Sequence, residues 1–255
     1  MHEFLNEWQA WHESREQVLR DPHGWLAITA IHWLTDTPQR FGDVPGAWSG
    51  DGHGATVELA PGETLTVEDT LLIEGVHRFG PLDEAGLIVG FGDAVAQVAD
   101  RGGRCIVRPR HPDSPNLRAY RGTPCYPPDP AWRLPGRFDP YLAADGEAVG
   151  EVVFEHAGTE HPMVAWAGGG GGLWVLFRDA TSGVTTYPAN RQLVTAPPAP
   201  DGIVQIDFNR AINMPCAYTH FATCPLAPAA NTLPFAVEAG GQIPPMGPVD
   251  VVDVP

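Results

Sequence analysis

Two cysteines and a histidine lie close together in the sequence and could support thiol chemistry. Cys216 and Cys224 are separated by seven residues, and His220 lies four residues from each of them. A catalytic thiol needs a base or a positive environment that lowers its pKa, and His220 could supply that base. The same two cysteines could instead form a disulfide in an oxidising compartment, bind zinc, or lie in the core as inert thiols. The close Cys pairs typical of zinc sites do not occur, so no metal site is predicted, and the spacing favours inert, buried cysteines.

A second group of candidate residues follows a predicted strand that ends at Phe177. Asp179 and Tyr187 are candidates for proton transfer beside Arg191, whose forked guanidinium could hold an anion. The alternative is an ion pair between Asp179 and Arg191 that fixes an antiparallel hairpin. On such a hairpin, Thr185 and Tyr187 would share one face.

Polar residues also follow the last confident strand, which is predicted over Ile203–Phe208. Side chains at strand ends often line binding sites, but Asn and Asp also stabilise irregular loops by hydrogen bonds to nearby main chain. Both interpretations stay open. The candidate catalytic residues are Asp179, Tyr187, Cys216 and His220. The candidate ligand-binding residues are Arg178, Arg191, Asp207, Asn209, Arg210 and Asn213.

The composition excludes several classes of protein. All fifteen basic residues are arginines, and the absence of lysine excludes Schiff-base chemistry with pyridoxal phosphate and a Walker phosphate loop. A net charge of −16 argues against general nucleic-acid binding. No apolar stretch reaches the length of about eighteen residues that a membrane span needs. The N-terminus does not resemble a signal peptide, so we expect a cytoplasmic protein without a membrane partner, and no cofactor is predicted.

The elements that must position these residues are mainly strands. Apolar spacing predicts an amphipathic helix over residues 3–20, which Asp21-Pro22 ends. From about residue 40, short apolar runs alternate with Gly- and Asp-containing turns, as is typical of β proteins. Strands at Val149–His156 and Pro162–Ala167, followed by the five glycines Gly168–Gly172 as a hairpin tip, predict antiparallel pairing. The predicted fold is mainly β, with an antiparallel β-sandwich or barrel-like core.

One segment differs in charge from the rest of the chain. Residues 101–137 contain eight arginines and only two acidic residues, and residues 109–140 contain nine prolines. So many prolines predict a long irregular Pro/Arg-rich loop, because proline disfavours helices and central strands. Its arginines could pair with the acidic remainder of the chain. Alternatively, they could hold an acidic peptide or a phosphate group in a non-catalytic binding module.

Several of these motifs resemble one protein family. The segment Phe177–Arg191 and the run Asp207-Phe208-Asn209-Arg210, with Met214-Pro215-Cys216 and Thr223-Cys224-Pro225 after it, are similar to the bacterial family known as domain of unknown function 1684. Gly24-Trp25-Leu26 and Trp33-Leu34 extend the resemblance, which covers roughly residues 8–241. The family name implies no activity.

The sequence therefore predicts one β-rich domain over residues 1–241 and an extended or disordered tail over 242–255. The predicted function is a small-molecule-binding enzyme that acts on a polar or anionic metabolite. The alternative is a non-catalytic β-rich module that binds an acidic peptide or a phosphate-bearing ligand. The reaction, the substrate and the oligomeric state are left open.

Overall fold

The structure, a computed structural model, describes residues 1–141 and 147–245. By internal contacts, the described chain divides into two compact units. Unit 1 contains Met1–Gln17, Arg121–Tyr218 and residues 223–245, and unit 2 contains Val18–Tyr120 and Thr219–Ala222. The single domain expected over residues 1–241 stays a prediction. The predicted tail lies outside the described residues from residue 246 onward.

Two α-helices are present in the described chain. Helix α1 spans His2–Leu19 and confirms the helix predicted over residues 3–20. It ends just before Asp21-Pro22, because the residue that precedes a proline disfavours helical geometry. Helix α2 is short, Pro115–Ala119, and the side chain of Ser114 caps it by accepting a hydrogen bond from the N–H of Leu117. Neither helix has the combination of length and apolar character that crossing a membrane would require.

Unit 2 consists mainly of two antiparallel sheets. Its strands are β1 (His32–Trp33), β2 (Gln39–Phe41), β3 (Val44–Asp51), β4 (Gly54–Leu59), β5 (Leu65–Val67), β6 (Thr70–Leu72), β7 (Gly75–Phe79), β8 (Leu87–Phe91), β9 (Ala94–Asp100) and β10 (Cys105–Arg110). One sheet has the order β1-β10-β9-β8-β5-β6 and the other has the order β2-β3-β4-β7. Trp48 and Val57 of the second sheet belong to the same buried apolar cluster as Val98 and Val107 of the first, so both sheets contribute to one core.

Unit 1 is built on a seven-stranded antiparallel sheet. Its strands are β11 (Arg133–Pro140), β12 (Ala148–His156), β13 (Thr159–Ala167), β14 (Leu173–Phe177), β15 (Arg191–Val194), β16 (Ile203–Asp207) and β17 (Ile212–Asn213). Their order is β16-β11-β12-β13-β14-β15-β17. Buried side chains, among them Phe154, Phe177 and Phe208, form the core of this unit. The predicted mainly β, antiparallel fold class with an N-terminal helix is confirmed.

The Pro/Arg-rich segment corrects one expectation, because it is not a continuous irregular loop. It contains β10, α2 and most of β11, and β11 is an interior strand between β16 and β12. On the β16 side, Pro135 is opposite Gln205 in the middle of the register, whereas Pro140 lies beyond that register; on the β12 side, both prolines lie at or beyond its ends. Pairing with β12 begins at Gly136, one residue after Pro135, and it ends at Pro140. A proline at the margin of a register removes few of the hydrogen bonds between strands.

The predicted continuation of a strand through Thr185 and Tyr187 is wrong. Residues 178–190, which join β14 to β15, form a compact turn instead. The carbonyl oxygen of Thr181 accepts hydrogen bonds from the N–H groups of Val184, Thr185 and Thr186. Three hydrogen bonds to the same carbonyl oxygen hold these residues in a tight turn, so they cannot form an extended strand. The five glycines are at a hairpin tip as predicted, between β13 and β14.

Candidate functional site

A buried ion pair lies at the start of β15. Nη2 of Arg191 is 2.5 Å from Oδ2 of Asp179, and the exposed fractions of the two side chains are 1% and 0%. Arg191 also donates to the carbonyl oxygens of Ala239 and Val237, and its guanidinium lies 5.1 Å above the ring of Phe177. Burial lowers the pKa of Arg191, and the neighbouring carboxylate opposes that effect. The ion pair that the sequence left open as an alternative is therefore present.

Asp179 is also bonded to its own turn. Its Oδ1 accepts hydrogen bonds from the N–H of Thr181, at 2.6 Å, and from the Thr181 hydroxyl. Both carboxylate oxygens are thus used by groups of the protein. The proton-transfer role of Asp179 and the anion-binding role of Arg191 stay predictions.

Asp207 and Asn209 form a second buried polar cluster where β16 ends. Oδ1 of Asp207 accepts from the main-chain N–H of Asn209 at 3.1 Å and from its Nδ2 at 2.9 Å. The Asn209 amide also exchanges two hydrogen bonds of 2.9 Å with the main chain of Asp129. On the other carboxylate oxygen, Oδ2, Nε of Arg133 lies at 3.2 Å and Nε of Arg210 at 3.5 Å. These contacts fix the turn after β16 against residue 129.

The remaining candidate ligand-binding residues differ in exposure. Asn213 is buried in β17 and donates from Nδ2 to the carbonyl oxygen of Gln242 at 2.7 Å. Arg210 has an exposed side-chain fraction of 34% and lies over the ring of Trp11. Arg178 is exposed. Among the six candidates, Arg178 and Arg210 are therefore the two arginines whose side chains reach solvent.

Tyr187, Cys216 and Cys224 are brought together by three separate loop segments of unit 1. Cys216 lies in a short 3-10 turn, and its main-chain N–H donates to Sγ of Cys224 at 3.2 Å. The hydroxyl of Tyr187 donates to the carbonyl oxygen of Cys216 at 2.9 Å. All three residues are half-buried.

The surroundings of Cys216 favour its thiolate. Hydrogen bonds from the side chains of Cys224 and Tyr187 lower the pKa of Cys216 to about 7, against the opposing effect of burial. Burial and the nearby sulfur of Cys216 raise the pKa of Tyr187 to about 12. At neutral pH, Tyr187 therefore keeps its proton and donates, while a large fraction of Cys216 is ionised. A thiolate is the nucleophilic form of cysteine.

The other cysteines have the opposite character. Burial raises the pKa of Cys125 to about 11 and also raises the pKa of Cys105. A raised pKa disfavours the thiolate, as is typical of the inert cysteines that the sequence favoured; that they are inert stays a prediction. His220, the base expected from spacing, is exposed, and its role as a base stays a prediction.

Sequence reasoning missed the contact between Tyr187 and Cys216. It grouped Tyr187 with Asp179 as candidates for proton transfer and placed Tyr187 on one hairpin face with Thr185, and nothing in the spacing links residues 187 and 216. The sequence signal closest to this cluster is the density of Asn, Cys and Tyr in irregular segments after strands. For metals, the described residues contain no group of three or more His, Cys, Asp or Glu that could hold an ion.

In unit 2, the two arginines of β10 are bound by the protein. Arg108 is 1% exposed and donates to Oε1 of Gln97 and to the carbonyl oxygen of Phe221. Arg110 donates to Gln97 at 3.2 Å, and both guanidinium groups lie 5.5 Å from the ring centre of Trp25. These contacts agree with a structural role for this part of the Arg-rich segment.

Unit 2 also has an open groove of about 620 Å³. It is lined by residues 22–23, 64, 66, 90–95 and 112, and His23 is bonded there through Nε2 to the carbonyl oxygen of Asp93. None of the candidate catalytic or ligand-binding residues lines this groove.

Comparison with known proteins agrees with the motifs of the sequence. Residues 118–242 match the family described as "Protein of unknown function (DUF1684)". This match confirms the resemblance to that family, and it includes the ion pair, the Asn209 cluster and the Tyr187–Cys216–Cys224 cluster. The motifs at Gly24-Trp25-Leu26 and Trp33-Leu34 lie before the matched residues.

Among solved structures, the chain is similar to the uncharacterized protein from gene locus rrnAC0354 of Haloarcula marismortui, determined by solution NMR. The identity is 28%, the match covers 50% of this chain and 80% of that one, and the TM-score is 0.44. A search of curated proteins gave no match.

Proposed function

We propose that the protein is an enzyme that acts on a small polar or anionic metabolite through the thiolate of Cys216. The observation that supports this proposal is the half-buried cluster in which Tyr187 and Cys224 are hydrogen-bonded to Cys216, whose pKa is lowered to about 7. A stabilised thiolate in an accessible position is typical of a catalytic cysteine and not of a structural one.

The reaction step that suits this cluster is nucleophilic addition. The sulfur of Cys216 forms a bond to an electrophilic carbon of the substrate, and the electron pair of the attacked bond moves to oxygen or to a leaving group. Tyr187 keeps its proton up to a pH far above neutral and so remains a hydrogen-bond donor to the main-chain carbonyl oxygen of Cys216. Arg178 and Arg210 are the candidate contacts for an anionic group, because their side chains reach solvent.

The non-catalytic binding module has less support. It requires arginines of the segment 101–137 to face a ligand, and one of the eight, Arg108, is buried with its guanidinium bound to Gln97, Trp25 and a main-chain carbonyl, whereas Arg104 is exposed. We therefore favour the thiol site over this alternative.

The test measures the reactivity of each cysteine. Iodoacetamide labelling of the folded protein, followed by mass spectrometry, gives a rate for every thiol as a function of pH. We expect Cys216 to label fastest, with a midpoint near pH 7. We then expect members of a panel of small carboxylated or phosphorylated aldehydes and thioesters to protect Cys216 and to form an adduct visible in the intact mass.

The matched controls are Cys216→Ser and Cys125→Ser. The first should lose both the fast label and the adduct, whereas the second should keep them, with unchanged circular dichroism in both. Labelling of Cys216 at the pH of an ordinary thiol, or a panel that neither protects it nor adds to it, would overturn the proposal.

A further inference from the structure

We infer that Cys216 and Cys224 form a reversible disulfide that switches the Cys216 site off, with a hydroperoxide as oxidant and a small thiol as reductant. The pairing of the two sulfurs is argued from geometry alone. Its meaning as a switch rests on the proposed function, because a disulfide removes the nucleophile that this function needs.

The geometry singles out this pair of cysteines. The main-chain N–H of Cys216 donates a hydrogen bond to Sγ of Cys224 at 3.2 Å, which places the second sulfur beside the first cysteine. Neither cysteine is joined in a disulfide in the structure, and both are half-buried. A disulfide requires two sulfurs that approach to about 2 Å, and the hydrogen bond from Cys216 to the sulfur of Cys224 holds these two residues next to each other.

The other two cysteines have different neighbours. Cys125 contacts the carbonyl oxygen of Thr123 at 3.6 Å and Nδ1 of His12 at 4.0 Å. Cys105 is buried in unit 2 and contacts the carbonyl oxygen of Asp51 at 3.4 Å. Among the four cysteines, Cys216 and Cys224 are therefore the pair that oxidation should join.

The chemistry proceeds in two steps. First, the thiolate of Cys216 attacks one oxygen of the hydroperoxide: a sulfur–oxygen bond forms, the oxygen–oxygen bond breaks, and the alkoxide leaves and takes up a proton to become an alcohol. This step produces a sulfenic acid on Cys216. Next, the sulfur of Cys224 attacks the sulfur of Cys216, the sulfur–sulfur bond forms, and hydroxide leaves with the proton of Cys224 as water.

The electrons balance over the cycle. The two thiols lose two electrons, and the hydroperoxide gains them to give one alcohol and one water. Two molecules of a small thiol restore the protein by exchange through a mixed disulfide and are themselves joined as a disulfide. The difference in surroundings assigns the roles: Cys216, whose pKa is lowered, reacts first, and Cys224 resolves the intermediate.

The sequence makes the test simple. No Lys or Arg follows Arg210, so trypsin leaves Cys216 and Cys224 on one peptide that begins at residue 211. A disulfide between them makes this peptide lighter by two hydrogen atoms and does not link it to another peptide. We expect this mass change after treatment of the full chain with hydrogen peroxide, loss of two of the four free thiols, and full reversal by dithiothreitol.

Variants separate the two roles. In Cys224→Ser, the sulfenic acid at Cys216 should persist and be trapped by dimedone. In Cys216→Ser, peroxide should leave Cys224 as a thiol. Cys125→Ser is the control and should form the disulfide as the unchanged protein does. Oxidation of Cys216 to the sulfinic acid in the unchanged protein, or disulfides that join it to Cys105 or Cys125, would overturn the inference.

The outcome is distinguishable from that for the proposed function. If Cys216 of the reduced protein labels fast and binds metabolites but never pairs with Cys224, the disulfide inference is wrong and the proposed function stands. If the disulfide forms but the reduced protein shows no adduct and no protection by metabolites, the proposed function fails. The pair is then a redox-sensitive site without that activity.

Discussion

Removal of one member of the buried Asp179–Arg191 pair should destabilise unit 1 strongly. In Asp179→Ala, the guanidinium of Arg191 stays buried without its carboxylate, and the N–H and hydroxyl of Thr181 lose their acceptor. Breaking a buried ion pair by removing one partner costs about 3–5 kcal/mol, because an uncompensated charge is left in the interior. The free energy of unfolding of a whole protein is only about 5–15 kcal/mol, so the loss is a large share of the total.

The structure also predicts how the two partners combine. Arg191→Met removes the charge but leaves the carbonyl oxygens of Ala239 and Val237 without their donor. We therefore expect Arg191→Met to cost an amount similar to that of Asp179→Ala. The double variant should lose clearly less than the sum of the two single variants, because it contains no unpaired buried charge.

The assay is urea unfolding at neutral pH, followed by tryptophan fluorescence and by circular dichroism. The control is Arg137→Ala, which breaks the exposed pair with Asp139 and should leave stability almost unchanged. In thermal unfolding, each buried single variant should lower the Tm of its transition by roughly 10 °C. A loss below about 1 kcal/mol in Asp179→Ala, or simple additivity in the double variant, would refute the reasoning.

Three further predictions concern other sites. Asn231 is fully buried and hydrogen-bonds main-chain groups of β13 and β14, so Asn231→Ala should lower the free energy of unfolding by about 1–3 kcal/mol in the same assay. Tyr187→Phe removes a donor to Cys216, so the pH midpoint of iodoacetamide labelling should rise above 7, and an unchanged midpoint would contradict the assigned contact. The hydrogen bond from Arg40 lowers the pKa of Glu63 from 4.5 to about 2. Because the pKa of Glu63 is lower in the folded protein than in the unfolded chain, the ionised carboxylate stabilises the fold above pH 4.5, and this stabilisation is lost as the pH falls towards 2. In Glu63→Gln, the urea midpoint should therefore depend less on pH between 4.5 and 2.

Much of the secondary structure follows from the sequence, because it depends on local pattern. The N-terminal helix and strands β12 and β13 were predictable to within a few residues from apolar spacing and turn residues. The interior position of β11 was not predictable, because proline, which has no N–H, weakens a sheet only at positions where a main-chain N–H must donate to the neighbouring strand. Which residues fall at the margin of a register is set by pairing with distant strands, and the sequence of β11 alone does not contain that information.

In the candidate site, too, some contacts could be predicted from the sequence and others depend on distant segments. The pair of Asp179 and Arg191 could be proposed from complementary charges at the two ends of one turn. The contact of Tyr187 with Cys216 could not, because two irregular segments bring these residues together across 29 positions. Spacing along the chain suggested His220 as the base, and that role stays a prediction.

The two carbonyl oxygens that accept from Arg191 also set an order of events during synthesis. The helix α1 of unit 1 leaves the ribosome first, and Ala239 leaves it only after β17 and the loops that follow. Until then, the guanidinium of Arg191 lacks two of its acceptors and is more stable in water than in an interior. Unit 1 therefore completes its core late in translation, and a nascent chain stalled before residue 237 should present α1 and the sheet as an unfinished, protease-sensitive intermediate.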